Sequence, residues 1–444
     1  MINTKRHALR GVGLASVFAL SLSLTACGSS DKEDDASGPA DINAAVDKGG
    51  ELTIWAWEPT LKQVVADFQT AHPKVKIKLV NAGTGNDQYT AVQNAVKAGK
   101  GVPDLAQIEY FAMGQFSLAK SITDLTKYGA DKQEKTFTPG PWKAVKAGEG
   151  IYGMPMDSGP MALYYNKKVF DKHSIKVPAT WDEYVVAAEK LHKADPKVFI
   201  TNDTGEAGFA TSLIWQAGGR PYKVDGTNVS IDFSDAGSTT YAKTWQKLID
   251  KKLVAPVTSW NDEWFKGLAD GSIATLATGA WMPPNLESSA AAGSGDWRVA
   301  PLPQWKAGEK ASAESGGSAL TIPEASGNKQ LAYAFMEYAT SGAGAKTRIK
   351  NGAFPATTAD LTSPEFLAKK FDYFGGQEAN KIFSESAANV AADWSYLPFQ
   401  VYANRVFNDN VGKAYVSSTT LVQGLDAWQK ASKAYGTEQG FTVK

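Results

Sequence analysis

Apolar residues along the chain recur with two periods, and the two alternate from residue 51 onward. Residues 51–57 (ELTIWAW) are a short β-rich run broken at Glu58 and Pro59. Residues 61–73 (LKQVVADFQTAHP) place Leu61, Val64, Val65 and Phe68 on one helical face and stop at Pro73. Residues 75–80 (VKIKLV) alternate as a strand does. Residues 89–101 (YTAVQNAVKAGKG) return to helical spacing and close with glycine, and residues 103–110 (PDLAQIEY) are extended again. This β-α-β-α-β order predicts an α/β domain with a largely parallel sheet. Ligands of such sheets bind in loops at the carboxyl ends of strands. The loops there carry Trp57 and Glu58, then Asn86 and Asp87, then Glu109 and Tyr110.

Further along, residues 154–160 (MPMDSGP) read as a kinked crossing segment, followed by the strand MALYYN. Thr180, with Glu183 three residues on, predicts a capping box at a helix start. Trp215 precedes AGGR at a helix-end position, SWNDEW from residue 259 fits a helix start, residues 297–323 read as strand, loop and strand, and residues 329–341 as a helix. The loop NGAFPATT spans residues 351–358, the remainder is mostly helical, and no internal repeat is visible.

The first 26 residues have a different layout. Lys5, Arg6 and Arg10 precede an uncharged run to Leu24, and the small residues Thr25 and Ala26 precede Cys27, the one cysteine of the chain. Basic, apolar and small-residue regions in that order predict a secretory signal, and the apolar run is short for a bilayer span of about 20 residues. The sequence LTAC at residues 24–27 resembles a bacterial lipobox, which implies diacylglycerol on the Cys27 thiol and cleavage just before it. Two acyl chains give stable anchoring where one does not. Residues 28–50 are polar, acidic and poor in aromatics, and predict a flexible tether of the kind that suits an outward-facing lipoprotein of a Gram-positive cell.

Charge and composition narrow the chemistry. The full chain is formally neutral, and loss of Lys5, Arg6 and Arg10 with the signal leaves net −3. No basic block points to nucleic acid. The four histidines are scattered, and no Cys/His cluster has metal-ligand spacing, so no metal or cofactor is expected. With Cys27 lipidated no disulfide forms, and the fold rests on its apolar core. The 13 tryptophans are the unusual feature, several of them beside Gly, Pro, Asn or Asp.

Five segments in order resemble the solute-binding proteins of carbohydrate ABC importers, the maltose-binding-protein-like family. They are ELTIWAW with its helix and HPKVKIKLV; KGVPDLAQI; YGMPMDSGPMALYYNKKVF with PATWDEY; FKGLADGSIATLATGAW; and SGGSALTIP with its helix and NGAFPA. The resemblance implies a two-lobed α/β fold of the type II periplasmic-binding-protein kind, with hinge strands and a ligand cleft between the lobes. By that analogy residues 51–158 plus 319–362 form one lobe and residues 159–318 plus 363–444 the other. The crossings then fall near 157–161, 315–319 and 362–367. The implied partners are an oligosaccharide, the permease subunits and their ATPase, and a membrane through Cys27; the implied state is a monomer without catalysis.

A pyranose offers an apolar face to an aromatic ring and a rim of hydroxyls to carboxylates or amides. The candidates are therefore Trp57, Glu58, Asp87, Glu109 and Tyr110 on the first lobe, Asp157 at a crossing, and Trp215, Trp260, Glu263, Trp281, Glu314 and Trp394 on the second. Trp281 matches the family's cleft-facing tryptophan. Glu58 and Glu109 also fit solvated loop acids, Trp260 and Glu263 a helix start, and Glu314 a polar hinge role. Trp55, Trp142, Trp181, Trp245 and Trp428 read as core. A secreted glycoside hydrolase is the rival, since it too needs aromatics and two facing carboxylates, for instance Glu58 with Glu109. The chain lacks an eight-fold β/α rhythm, a G-x-S-x-G elbow and the Lys-Ser/Thr of a phosphate loop.

Overall fold

The computed structural model describes residues 39–444, so Cys27, the signal and the first part of the tether lie outside the described residues. The first lobe is built on a five-stranded sheet in the order Val75–Val80, Gly50–Trp55, Leu105–Glu109, Ser318–Thr321, Met154–Pro155. The first three strands run parallel, as the β-α-β-α-β pattern predicts, and the last two pair antiparallel. Along Gly50–Trp55 the side chains alternate: Leu52 and Ile54 are buried, while Thr53 and Trp55 turn to the half-covered face. Trp55 and Trp57 thus share a face, and it is the less buried one.

The second lobe is organised by a three-stranded antiparallel sheet, Thr275–Gly279, Met161–Asn166, Trp297–Ala300. Its central strand separates two apolar clusters. Met161 and Leu163 join one with Trp181, Trp245 and Trp428; Ala162 and Tyr164 join the other with Trp264, Trp297 and Phe383. Trp142 packs in the first lobe, so the four tryptophans read as core beyond Trp55 are all buried. Thr180 does cap its helix by accepting from Glu183 N, but the Glu183 carboxylate reaches back one residue further, to Ala179 N.

Three segments connect the lobes. Met156 packs with the first lobe and Met161 with the second; Ala313 packs with the second and Ala319 with the first. The third passage lies around residues 354–361, earlier than the expected 362–367. Ala356 joins the first-lobe cluster, while Phe354 and Leu361 join the second.

The tether expected over residues 28–50 is helical over Pro39–Lys48. Ile42 is buried, and Ala45 and Val46 pack beside it on the first-lobe core. These residues have i, i+3, i+4 spacing, which gives one apolar stripe to a helix in an otherwise polar segment.

Candidate functional site

The two lobes enclose a cavity of about 750 Å3 lined from both sides. On the first lobe, Trp57 and Glu58 follow the first strand, and Gln107 fixes that turn. Its Oε1 accepts from Trp57 N and Glu58 N, each at 3.1 Å, and its Nε2 donates to Ser318 Oγ at 2.9 Å. The Glu58 carboxylate accepts from Thr60 Oγ1 and from Leu61 N at the start of the following helix, and lies 3.5 Å from the buried Arg348 guanidinium. Glu109, at the end of its strand, accepts from Tyr89 Oη at 2.8 Å. Burial pushes the Glu109 carboxyl up to about 7, against the Tyr89 hydrogen bond, with Asp157 adding to the rise.

Asp157 sits on a crossing strand and faces the cavity. Its Oδ1 accepts from Ser318 N at 2.6 Å and Ser318 Oγ at 3.2 Å. Burial raises its carboxyl to about 6; Arg348 and the Ser318 bonds limit the rise.

The second lobe contributes two groups. Asp203 accepts from Trp245 Nε1 at 2.7 Å, Tyr415 Oη at 2.5 Å and Gly205 N at 2.8 Å, and burial raises its carboxyl to about 6. Glu206, also raised by burial, lines the cavity beside it. The other group is aromatic: Trp260 stacks on Trp281 with centroids 5.7 Å apart, and packs against Trp264 at 5.2 Å. Trp281 Nε1 donates to Ser315 O at 2.6 Å, and Trp264 Nε1 to Asn202 Oδ1 at 2.7 Å. Tyr396, Gln400 and Asn404 complete the wall near the helix Gln400–Arg405. No lysine, arginine or histidine lines this cavity among the described residues.

Of the twelve candidates, Trp57, Glu58, Glu109, Asp157, Trp260 and Trp281 line the cavity. The other six do not. Asp87 is exposed in the first turn of the helix Asn86–Ala98, and Asn81 and Thr84 of the preceding loop face the cavity instead. The Tyr110 ring is buried and its hydroxyl donates to Asp157 O at 2.6 Å. Glu263 points to solvent from a helix capped by Asn261, one position before the inward Trp264. Trp215 and Trp394 stack on each other, 5.0 Å apart and 7° from parallel, behind Tyr396. Glu314 is buried between the crossing strands, accepting from Ser158 Oγ and Gly159 N. Burial pushes its carboxyl up to about 7, those two donors oppose the rise, and Asp157 adds to it.

The sequence reading missed Asp203, Glu206, Trp264 and the Tyr396–Gln400–Asn404 wall. The segment TNDTGE at residues 201–206 follows a two-residue strand, too short to register as periodicity. Gln400 and Asn404 are four apart, a one-face spacing that a helix makes visible only once its ends are known.

Residues 56–346 match the family described as bacterial extracellular solute-binding protein. The chain belongs to that family. Among solved structures it is similar to the ABC transporter associated binding protein of B. animalis subsp. lactis Bl-04 in complex with β-1,6-galactobiose. The identity is 43%, the TM-score 0.85, and the match covers 89% of this chain and 99% of that one. It is also similar to the galacto-N-biose/lacto-N-biose I-binding protein of Bifidobacterium longum, at 27% identity and TM-score 0.76 over 89% and 99% of the two chains. Among curated proteins, the arabinooligosaccharide-binding protein of Bacillus subtilis is 26% identical over 75% of this chain and 79% of its own length. The two solved structures share this fold, and all three relatives are described as binding proteins.

Proposed function

We propose that this chain captures a neutral di- or oligosaccharide between its lobes and presents it, in the closed state, to the permease and ATPase of an ABC importer. The chain is the sugar-binding component of such a system by family. The observation that carries the ligand class is the composition of the cavity. A tryptophan platform stands on one lobe, and oriented carboxylates at Glu58, Glu109, Asp157, Asp203 and Glu206 come from both lobes and a crossing strand. An aromatic face packs the apolar side of a pyranose and adds about 0.5–1.5 kcal/mol beyond area burial. A charged acceptor for a hydroxyl contributes about 1.5–3 kcal/mol and leaves an unpaired buried group when the hydroxyl is missing, which is the basis of selectivity.

Closure follows from differential affinity. Ligand bridging both walls favours the closed population, and the transporter reads that population. The lipobox at residues 24–27 supports attachment through Cys27 on the outer face of the cell membrane, with the chain acting as a monomer.

The 43% identical relative held β-1,6-galactobiose, which makes that disaccharide the first ligand to titrate. Calorimetry of the full chain against β-1,6-galactobiose, lacto-N-biose, lactose and arabinooligosaccharides tests the reading, with each sugar recovered and checked by chromatography. Saturable heat with intact sugar is the expected result. Cleaved sugar overturns it in favour of a glycoside hydrolase, and absence of heat across the panel moves the ligand outside these sugars.

A further inference from the structure

Two of the three connections between the lobes run side by side and exchange carboxylates. Asp157 on the first accepts from Ser318 N and Oγ on the second. Glu314 on the second accepts from Gly159 N at 2.5 Å and from Ser158 Oγ at 2.9 and 3.1 Å on the first. The backbone bond from Ser315 N to Gly159 O, 2.8 Å, lies beside the Glu314 contacts. The approach is close enough that a Cβ on Gly159 would stand 2.2 Å from Ser315 O, so only glycine fits there.

The residues next to these contacts are cleft residues. Asp157 adjoins Ser158. Ser315 adjoins Glu314, and its carbonyl accepts from Trp281 Nε1, which fixes the ring on which Trp260 stacks. Glu314 also ties this strand into the second lobe, because its own carbonyl accepts from Ser212 Oγ at 2.8 Å.

We propose that Glu314 is a positioning residue: without entering the cavity, it holds the two crossing strands in register and so sets the Asp157 carboxylate against the Trp281 platform. The inference rests on the cleft being the sugar site. A loss of the Glu314 carboxylate takes the acceptor from Ser158 Oγ and Gly159 N and leaves the backbone contacts, such as Ser315 N to Gly159 O, to hold the two walls together. A residue that only stabilised the fold would lower the fraction of folded protein and leave the affinity of the folded fraction unchanged.

The test uses the full chain and the variants Glu314→Ala, Glu314→Gln, Ser158→Ala and the double variant Ser158→Ala/Glu314→Ala. Affinity for β-1,6-galactobiose is measured by calorimetry. Small-angle scattering and tryptophan emission are recorded without ligand. The expected result is an affinity about tenfold weaker for Glu314→Ala and a smaller loss for Glu314→Gln, which keeps an acceptor oxygen. Ser158→Ala weakens binding several-fold, and the double variant is no weaker than Glu314→Ala alone, because the contact that Ser158→Ala removes is one that Glu314→Ala has already removed. Ligand-free Glu314→Ala shows a broader envelope and a shifted emission. Fully multiplicative losses, or an unchanged affinity, overturn the proposal. If Glu314→Ala fails to fold, Glu314→Gln and Ser158→Ala decide by the same measures. If the wild-type chain binds no sugar, the functional reading fails, and the ligand-free scattering and emission still judge the strand contact: unchanged curves in every variant overturn it.

Discussion

Trp260 lies over Trp281 with the two rings 27° from parallel, although Trp260 has a backbone φ of +71° and is 53% exposed. A bulky residue in the left-handed region costs on the order of 1–3 kcal/mol and persists where the surroundings enforce it. Here the enforcing contacts are the Trp264 and Trp281 rings and the Asn261 cap of the next helix. The exposed ring extends the platform into the cavity.

Trp281→Ala is expected to weaken sugar binding more than tenfold, since it removes both the inner ring and the support of the outer one. Trp260→Ala should weaken binding about tenfold, roughly 1.4 kcal/mol, while changing the melting temperature little, because the ring is half exposed and alanine keeps the Cβ that this backbone disfavours. Calorimetry and thermal scans of the two variants check both parts. A drop in melting temperature for Trp260→Ala, with affinity intact, would make its role structural.

Among the described residues Asp203 is held by three donors and no counter-cation, so its orientation depends on neutral groups. Tyr415→Phe removes one of them. The expected cost is about 1.5–3 kcal/mol in stability, the range for one hydrogen bond to a charged group, with Trp245 Nε1 still donating to the same oxygen, together with weaker ligand binding. Asp203→Asn should do worse: Trp245 and Tyr415 donate to Oδ2 and Gly205 N to Oδ1, so in either orientation the amide NH2 is set against a donor. Chemical denaturation and calorimetry on both variants give the order.

Much of the first lobe was legible because its strands and helices are long enough to show their periods, as in Leu61, Val64, Val65 and Phe68, all buried on one helix. The aromatic part of the cleft was legible in Trp57 and Trp281, which stand at or just beyond strand ends. Trp215 and Trp394 were not separable from cleft residues by sequence. Each sits near a loop, and what buries them is mutual stacking across 179 positions, a tertiary contact with no local signal. Asp87 and Glu263 illustrate a finer limit. Each begins a helix beside the cleft; about 100° of helical rotation separates Glu263 from Trp264 in the cavity wall, whereas beside Asp87 it is the preceding loop, through Asn81 and Thr84, that faces the cavity.

The helix Pro39–Lys48 belongs to the folded domain through Ile42. Ile42→Ala should destabilise the protein by about 2 kcal/mol, the low end for a buried isoleucine truncated to alanine. Ligand affinity should be unaffected, since the helix packs beside the helix Lys329–Thr340, away from the cavity-lining residues. Denaturant titration read alongside calorimetry separates the two effects. No change in stability would return the segment to the role of a tether.

The final prediction concerns pH. Glu109 and Glu314 are raised to about 7, and Asp157 and Asp203 to about 6, in each case chiefly by burial. A carboxyl whose folded pKa lies above its unfolded value binds more protons folded than unfolded. Its contribution is fully present below about 4 and is lost as pH rises through about 6 to 7. The ligand-free protein should therefore melt at a higher temperature at pH 5 than at pH 8. Sugar hydroxyls that donate to Glu109, Asp157 and Asp203 favour the ionised forms, so affinity should move the other way and strengthen from pH 5 to pH 8. Binding at pH 6 to 7 should release protons, visible as a heat that depends on the ionisation enthalpy of the buffer. Melting curves with and without β-1,6-galactobiose across this range test both signs together: the ligand-induced rise in melting temperature should grow with pH while the ligand-free value falls. A ligand-induced rise that shrinks with pH would mean that the carboxyls meet the sugar protonated, as donors, and would reverse the assignment of acceptor roles in the cleft.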